Sequence, residues 1–186
     1  MKKWLKKYVI LGIFGLSIIC YLFFTSGRSI NDDQPDDCSI ITVTQADKAF
    51  FCSNLDFKPY HWRMTFFPAS AGKYAKMLYG YTYYHSFEPV AGMNEHGLCA
   101  DDNGIPFIRY TPIPSKPTFS KPDMYAVILE VCKNVSEVIE WVNSYNLLTF
   151  NIQSVQYHFA DPTGDACVIA LDAEGNLNIT RKTGPY

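Results

Sequence analysis

The sequence has no glycine-rich phosphate loop, no HExxH helix and no GxSxG elbow, which removes the commonest nucleotide, zinc-protease and serine-hydrolase readings. Only four histidines occur, with no CxxC pair and no clustered His/Cys spacing, so no structural zinc site is expected. Positive charge is also scarce: from Cys38 onward eleven basic residues stand against fourteen acidic ones, which argues against a nucleic-acid surface. Internal repeats and low-complexity tracts are absent, so nothing points to a solenoid or an array.

What is present is apolar. Hydrophobic residues make up 48% of the 186, enough for the core of one domain. Four lysines in MKKWLKK precede eighteen uncharged residues, Tyr8 to Thr25, which predicts a signal peptide or an N-terminal membrane anchor over residues 1–25. The expected product is exported, either extracellular or anchored and facing away from the cytoplasm; an uncleaved segment would be its contact with the membrane. Ile19 is too bulky for the position before a lipoprotein cysteine at Cys20. Residues 26–37, SGRSINDDQPDD, are polar and acidic and read as a linker or propeptide, leaving 38–186 as the domain.

Along the domain, Ser39 to Val43 and Ala49 to Cys52 are apolar runs around a polar turn and predict an antiparallel hairpin. An aromatic middle, with Trp62, Phe66, Phe67, Tyr79 and Tyr81, suits strands that line a pocket or pack a core. Four prolines between Thr111 and Pro122 exclude regular helix and central strand there, and predict a surface loop that could serve as a lid. Asp123 to Tyr145 reads as two helices broken near Lys133, the second capped by Asn134 with Glu137 three residues on. Apolar runs at Val155 to Ala160, Ala166 to Leu171 and Leu177 to Thr180, separated by Asp-Pro-Thr-Gly and Glu-Gly-Asn turns, predict a β-meander. Strands, then helices, then strands give an α+β class.

The candidate nucleophiles are cysteines. Cys20 lies in the apolar N-terminal run, and the remaining five, Cys38, Cys52, Cys99, Cys132 and Cys167, are an odd number, so at least one thiol is expected to be free. Cys52, Cys132 and Cys167 sit in apolar runs and read as core residues. Cys38 stands apart, at an acidic-linker-to-strand junction where cleavage would make it a new N-terminus. An N-terminal cysteine needs no separate histidine, because its own α-amino group, with a pKa near 7.7 to 8.0, can accept the thiol proton. The plain alternative is a linker cysteine with no role. A papain-like pairing with His61 or His158 has no recognisable sequence context.

Two segments carry a family resemblance. CSIITVTQADKAFFCSNLDF, Cys38 to Phe57, resembles the mature start of the choloylglycine hydrolase and penicillin V acylase family, the linear amide C-N hydrolases of the N-terminal-nucleophile class. Asn54, Asp56 and Phe57 match its motif after the first hairpin, while Cys52 and Ser53 depart from it, Ser53 standing where bile-salt-type members carry arginine. GMNEHGLCADDNGIP, Gly92 to Pro106, is similar to a second family segment, and YHFADPTGDACVIALDAEGNLNITRKTG is a weaker third match.

The resemblance implies a four-layer αββα fold and a small-molecule amide as substrate: an N-acyl amine, an N-acyl amino acid, a bile-salt conjugate or a penicillin V type compound. It implies Cys38 as nucleophile, Asp56 orienting the α-amino group, and Asn103 in the oxyanion-hole turn, with Asp102 and Gly104 as alternatives. Asn94, Glu95 and Gly97 read as structural, Gly97 at positive φ, and His96 as an exposed turn residue. No cofactor or metal is implied, and homo-oligomers occur in the family. The matches cover the N-terminal part of a family domain, so roughly half of it, including a Thr-Asn segment, is expected to be missing. The competing expectation is a tethered, non-catalytic relative that binds an apolar ligand or a partner.

Overall fold

The computed structural model describes residues 38–45, 48–55, 61–83, 85–121, 123–148 and 150–182. The expected leader, the acidic linker and Asp56 lie outside the described residues. Described residues all fall within one compact unit, Asp36–Tyr186.

Strands β1 (Ser39–Gln45) and β2 (Lys48–Asn54) form an antiparallel hairpin. They are followed by β3 (His61–Phe67), β4 (Lys76–Tyr83), β5 (Ser86–Asn94) and β6 (Cys99–Gly104). After a proline-rich loop come β7 (Thr118–Phe119), α1 (Met124–Val131), α2 (Val135–Asn143), β8 (Asn146–Leu147) and a short 3-10 turn (Phe150–Gln153). The meander β9 (Val155–Ala160), β10 (Ala166–Leu171) and β11 (Leu177–Lys182) ends the described chain. Seven strands make one antiparallel sheet in the order β11-β10-β9-β6-β5-β4-β3.

Strand alternation sorts this sheet into two faces. Ala100 and Phe159, paired in register on β6 and β9, are buried with Leu129, Ile128 and Val138 of the helices. Their neighbours Cys99 and Ala160 point the other way, where Thr42, Ala49 and Phe51 of the hairpin face them. The described layers are therefore helices, a seven-stranded sheet and a two-stranded hairpin. This is the α+β organisation expected, with the hairpin as a separate two-stranded sheet. Among the described residues each hairpin strand pairs only with the other, and Ile41, Val43 and Phe50 are exposed on its outer face.

The helix break falls where expected. Asn134 accepts the Glu137 N–H at 2.9 Å, and Asp161, from the turn after β9, accepts the Val135 N–H at 3.0 Å. These contacts satisfy donors that a helix start leaves open. The proline-rich loop is surface chain, as expected, and it is anchored to the fold. Buried Asn146 clamps it: its Oδ1 accepts from the Ile113 N–H and the Tyr110 hydroxyl, and its Nδ2 donates to the carbonyls of Ile113 and Lys116. The aromatic middle divides between packing and surface: Trp62 stacks on Tyr79 with ring centres 5.2 Å apart, whereas Phe66 on edge strand β3 is exposed.

Candidate active site

Cys38 immediately precedes β1 and is half-buried. From Cys38 to Thr44 burial alternates, with Cys38, Ile40, Thr42 and Thr44 more covered than Ser39, Ile41 and Val43. The more covered residues form the inner face of the hairpin, towards the seven-stranded sheet. Cys38 therefore lies on the sheet-facing side, two residues beyond Ile40, which pairs with Ser53.

The hairpin is seated at its turn end. Lys182 Nζ donates to Thr44 Oγ1 at 2.8 Å, and Gly164, at φ +85°, lies against the Thr44 side chain. Between the hairpin and the sheet runs a cleft of about 410 Å³, lined by Thr42, Phe51, Met93, Cys99, Ala160 and Asp161 among others. Further along the same side of β6 come Asp101 and then Asn103, opposite His158 and Gln156 of β9.

This stretch is polar and buried. Asp101 is 0% exposed; burial pushes its pKa up to about 6, while Ser53 on the hairpin and the Asp102 backbone N–H, 2.7 Å from Oδ1, pull the other way. Desolvation lowers the pKa of His158 and favours the neutral ring. Asp102 points to the helix side, where burial and then the charge of Asp101 push it up to about 7. Asn103 is half-buried, and its Oδ1 has no hydrogen-bond partner among the described residues.

The thiols sort by environment. The five described cysteines are unbridged. Cys132 and Cys167 are buried, with pKa values pushed up to about 12, first by desolvation, as fits inert core residues. Burial pushes Cys99 up to about 11. Cys52 is not the core residue that its apolar run suggested: it alternates onto the exposed outer face of the hairpin, opposite Ile41.

The GMNEHG segment is structural, as expected. Buried Asn94 donates to the carbonyls of Leu129 and Cys132 and accepts from the N–H groups of His96 and Leu98. Glu95 accepts the Ala75 N–H, Gly97 has φ +77°, and exposed His96 packs edge-on against Tyr74.

The structure thus puts Cys38 on the sheet-facing side of the hairpin and Asn103 on the hairpin-facing side of β6, while Asp56 lies outside the described residues. Asp101 and Ser53 had not been read as site residues. Strand alternation and the pairing of β6 with β9, segments far apart in sequence, reveal Asp101, and its hydrogen bond with Ser53 brings in the hairpin. Among the described residues no group of three or more His, Cys, Asp or Glu side chains is placed to hold a metal ion.

The family model for linear amide C-N hydrolases, choloylglycine hydrolase family, matches residues 38–184. The chain belongs to that family. Among solved structures it resembles a point mutant of conjugated bile acid hydrolase from Clostridium perfringens, with TM-score 0.63 and 19% identity over 78% of this chain and 51% of that one. A second variant of the same enzyme gives TM-score 0.54 and 20% identity over 67% of this chain and 44% of that one. Penicillin V acylase from Agrobacterium tumefaciens gives TM-score 0.54 and 13% identity over 78% and 49%. These likenesses establish the N-terminal-nucleophile hydrolase fold, and the chain spans about half the length of the structures it matches. No curated protein matches it in sequence.

Proposed function

We propose that the protein is a linear amide C-N hydrolase that uses Cys38 as an N-terminal nucleophile. The observation that carries this reading is that the family match begins at Cys38, the residue that opens the hairpin's inner face. Removal of residues 1–37 frees the α-amino group of Cys38, which takes the thiol proton as Sγ attacks the amide carbonyl. The proton passes to the leaving amine, the C–N bond breaks, and the acyl group remains as a thioester. Water then attacks the thioester, releasing the acid and restoring the thiol.

Asp56 orients the α-amino group, and the turn around Asn103 provides donors for the oxyanion, with Asp102 and Gly104 the neighbouring alternatives. The substrate class is a non-peptide linear amide of the N-acyl amine, N-acyl amino acid, bile-salt conjugate or penicillin V type. The apolar N-terminal run supports export, with the segment cleaved or retained as a membrane anchor.

The test is hydrolysis of a panel of such amides by the wild type and by Cys38→Ala. Loss of turnover in the variant, with mass-spectrometric trapping of an acyl group on Cys38 in the wild type, supports the reading; equal turnover overturns it. A second reading, a tethered relative that binds a ligand or partner without cleaving, is favoured by the exposed Ile41, Val43 and Phe50 face of the hairpin.

A further inference from the structure

On the hairpin-facing side of the seven-stranded sheet, three buried atoms have no hydrogen-bond partner among the described residues: Asp101 Oδ2, Asn103 Oδ1 and His158 Nε2. Buried polar groups are nearly always paired, so such a set marks a place suited to a group that brings its own partners. A carboxylate only accepts and an amide oxygen only accepts, so two of these three atoms call for donors.

The order of contacts along the hairpin identifies a source of donors. At the turn end Thr44 meets Gly164 and Lys182. Next, Thr42, Ala49 and Phe51 face Cys99 and Ala160 across the cleft. Further on, Ser53 reaches Asp101. Ile40 pairs with Ser53, and Cys38 follows two residues later on the same face. The progression runs along β6 from Cys99 towards Asn103 and brings the start of β1 to the Asp101–Asn103 stretch.

We propose that Asp101 is a positioning residue for the α-amino group of Cys38, with Ser53 completing the contact from the hairpin. An α-ammonium carries three N–H donors, so it can engage Asp101 in addition to Asp56. The assignment rests on the reading of Cys38 as the first residue of the mature chain.

The surroundings of Asp101 favour this role. His158 faces it from β9, and its lowered pKa keeps a competing positive charge away at neutral pH. Val168 of β10 and Ala91 of β5 flank the pair without charge. Cys99 on the same side of β6 is held as a neutral thiol, and Asp102, Tyr125 and Tyr157 lie on the helix side. Lys48 and Lys182 are at the far, turn end of the hairpin.

The test titrates the α-amine of the mature protein, reading acetylation of the N-terminus by mass spectrometry across pH. An opposite charge within contact distance moves a pKa by about one to three units, so Asp101→Asn is expected to lower the α-amine pKa by about one unit or more. Ser53→Ala, at an exposed hairpin position, is expected to lower it less, and it decides the matter if Asp101→Asn does not fold. Glu174→Gln, in the exposed turn before β11, is the control. Chains that begin at Cys38 but whose α-amine titration is unmoved by both substitutions overturn this inference alone. A mature chain that begins upstream of Cys38 overturns the nucleophile reading and this inference with it.

Discussion

A β-carbon on Gly164 would lie 2.1 Å from Thr44 Cγ2, so the turn between β9 and β10 and the hairpin that begins at Cys38 touch where no side chain fits. Gly164 is also at φ +85°, a conformation that disfavours any substitution. Gly164→Ala is therefore expected to unseat the turn end of the hairpin and to destabilise the protein by about 2 kcal/mol or more. Hydrogen exchange should show β1 and β2 losing protection while β4 and β5 keep theirs. Unchanged exchange in β1 would mean that the hairpin is held elsewhere.

Asn94 makes four hydrogen bonds, two within the β5–β6 turn and two to carbonyls at the end of α1. Its replacement by alanine leaves buried carbonyls and N–H groups without partners, at a cost on the order of 3 kcal/mol. The denaturant midpoint should fall with little change in slope. A shift under about 0.5 kcal/mol would contradict the structural role given to the NEHG turn.

The pH dependence of stability should carry the mark of Asp102. Its folded pKa is raised to about 7, so the folded state binds its proton more tightly than the unfolded state does. Its contribution to stability is present below the unfolded value, near 3.8, and is lost as pH rises through about 7. Asp102→Asn should raise Tm by a few degrees at pH 8 and change it little at pH 4. His158, with a lowered pKa, acts in the opposite sense: its neutral form is favoured in the fold, and stability is lost as pH falls below its usual value.

Thiol chemistry provides an independent check on the sorting of the cysteines. Brief alkylation of the native protein at pH 8 should label Cys52 and Cys38, both accessible, and leave Cys132 and Cys167 unmodified until denaturation. Peptide mapping reads the result, and early labelling of Cys167 would contradict the packing of β10 against the helices.

Much of this fold was legible in sequence because its signals are local. The Asn134 cap, the Asp-Pro-Thr-Gly turn with Gly164 and the alternation of Leu177 to Thr180 each depend on residues within one turn or strand, and each appears where expected. Cys52 misled because periodicity gives a strand two faces without saying which one a second layer covers. The anchoring of the proline-rich loop was not legible for a related reason: Asn146, which holds it, comes from a segment beyond both helices. Asp101 was invisible as a site residue until β6 was paired with β9, since non-local strand pairing has no short-range signature. Cys38 stood out by its place at the linker-to-strand junction, and the resemblance to known sequences gave it a role, whereas Asn103 was reachable only through that resemblance.

The most direct test of the account is the N-terminal sequence and intact mass of the protein produced from the full chain, for the wild type and for Cys38→Ala. The account predicts a wild-type chain that begins at Cys38, hydrolyses an amide and loses that activity in the variant. A mature wild-type chain that still begins upstream of Cys38 and hydrolyses amides normally would contradict it, because Cys38 would then have no free amine to take its proton.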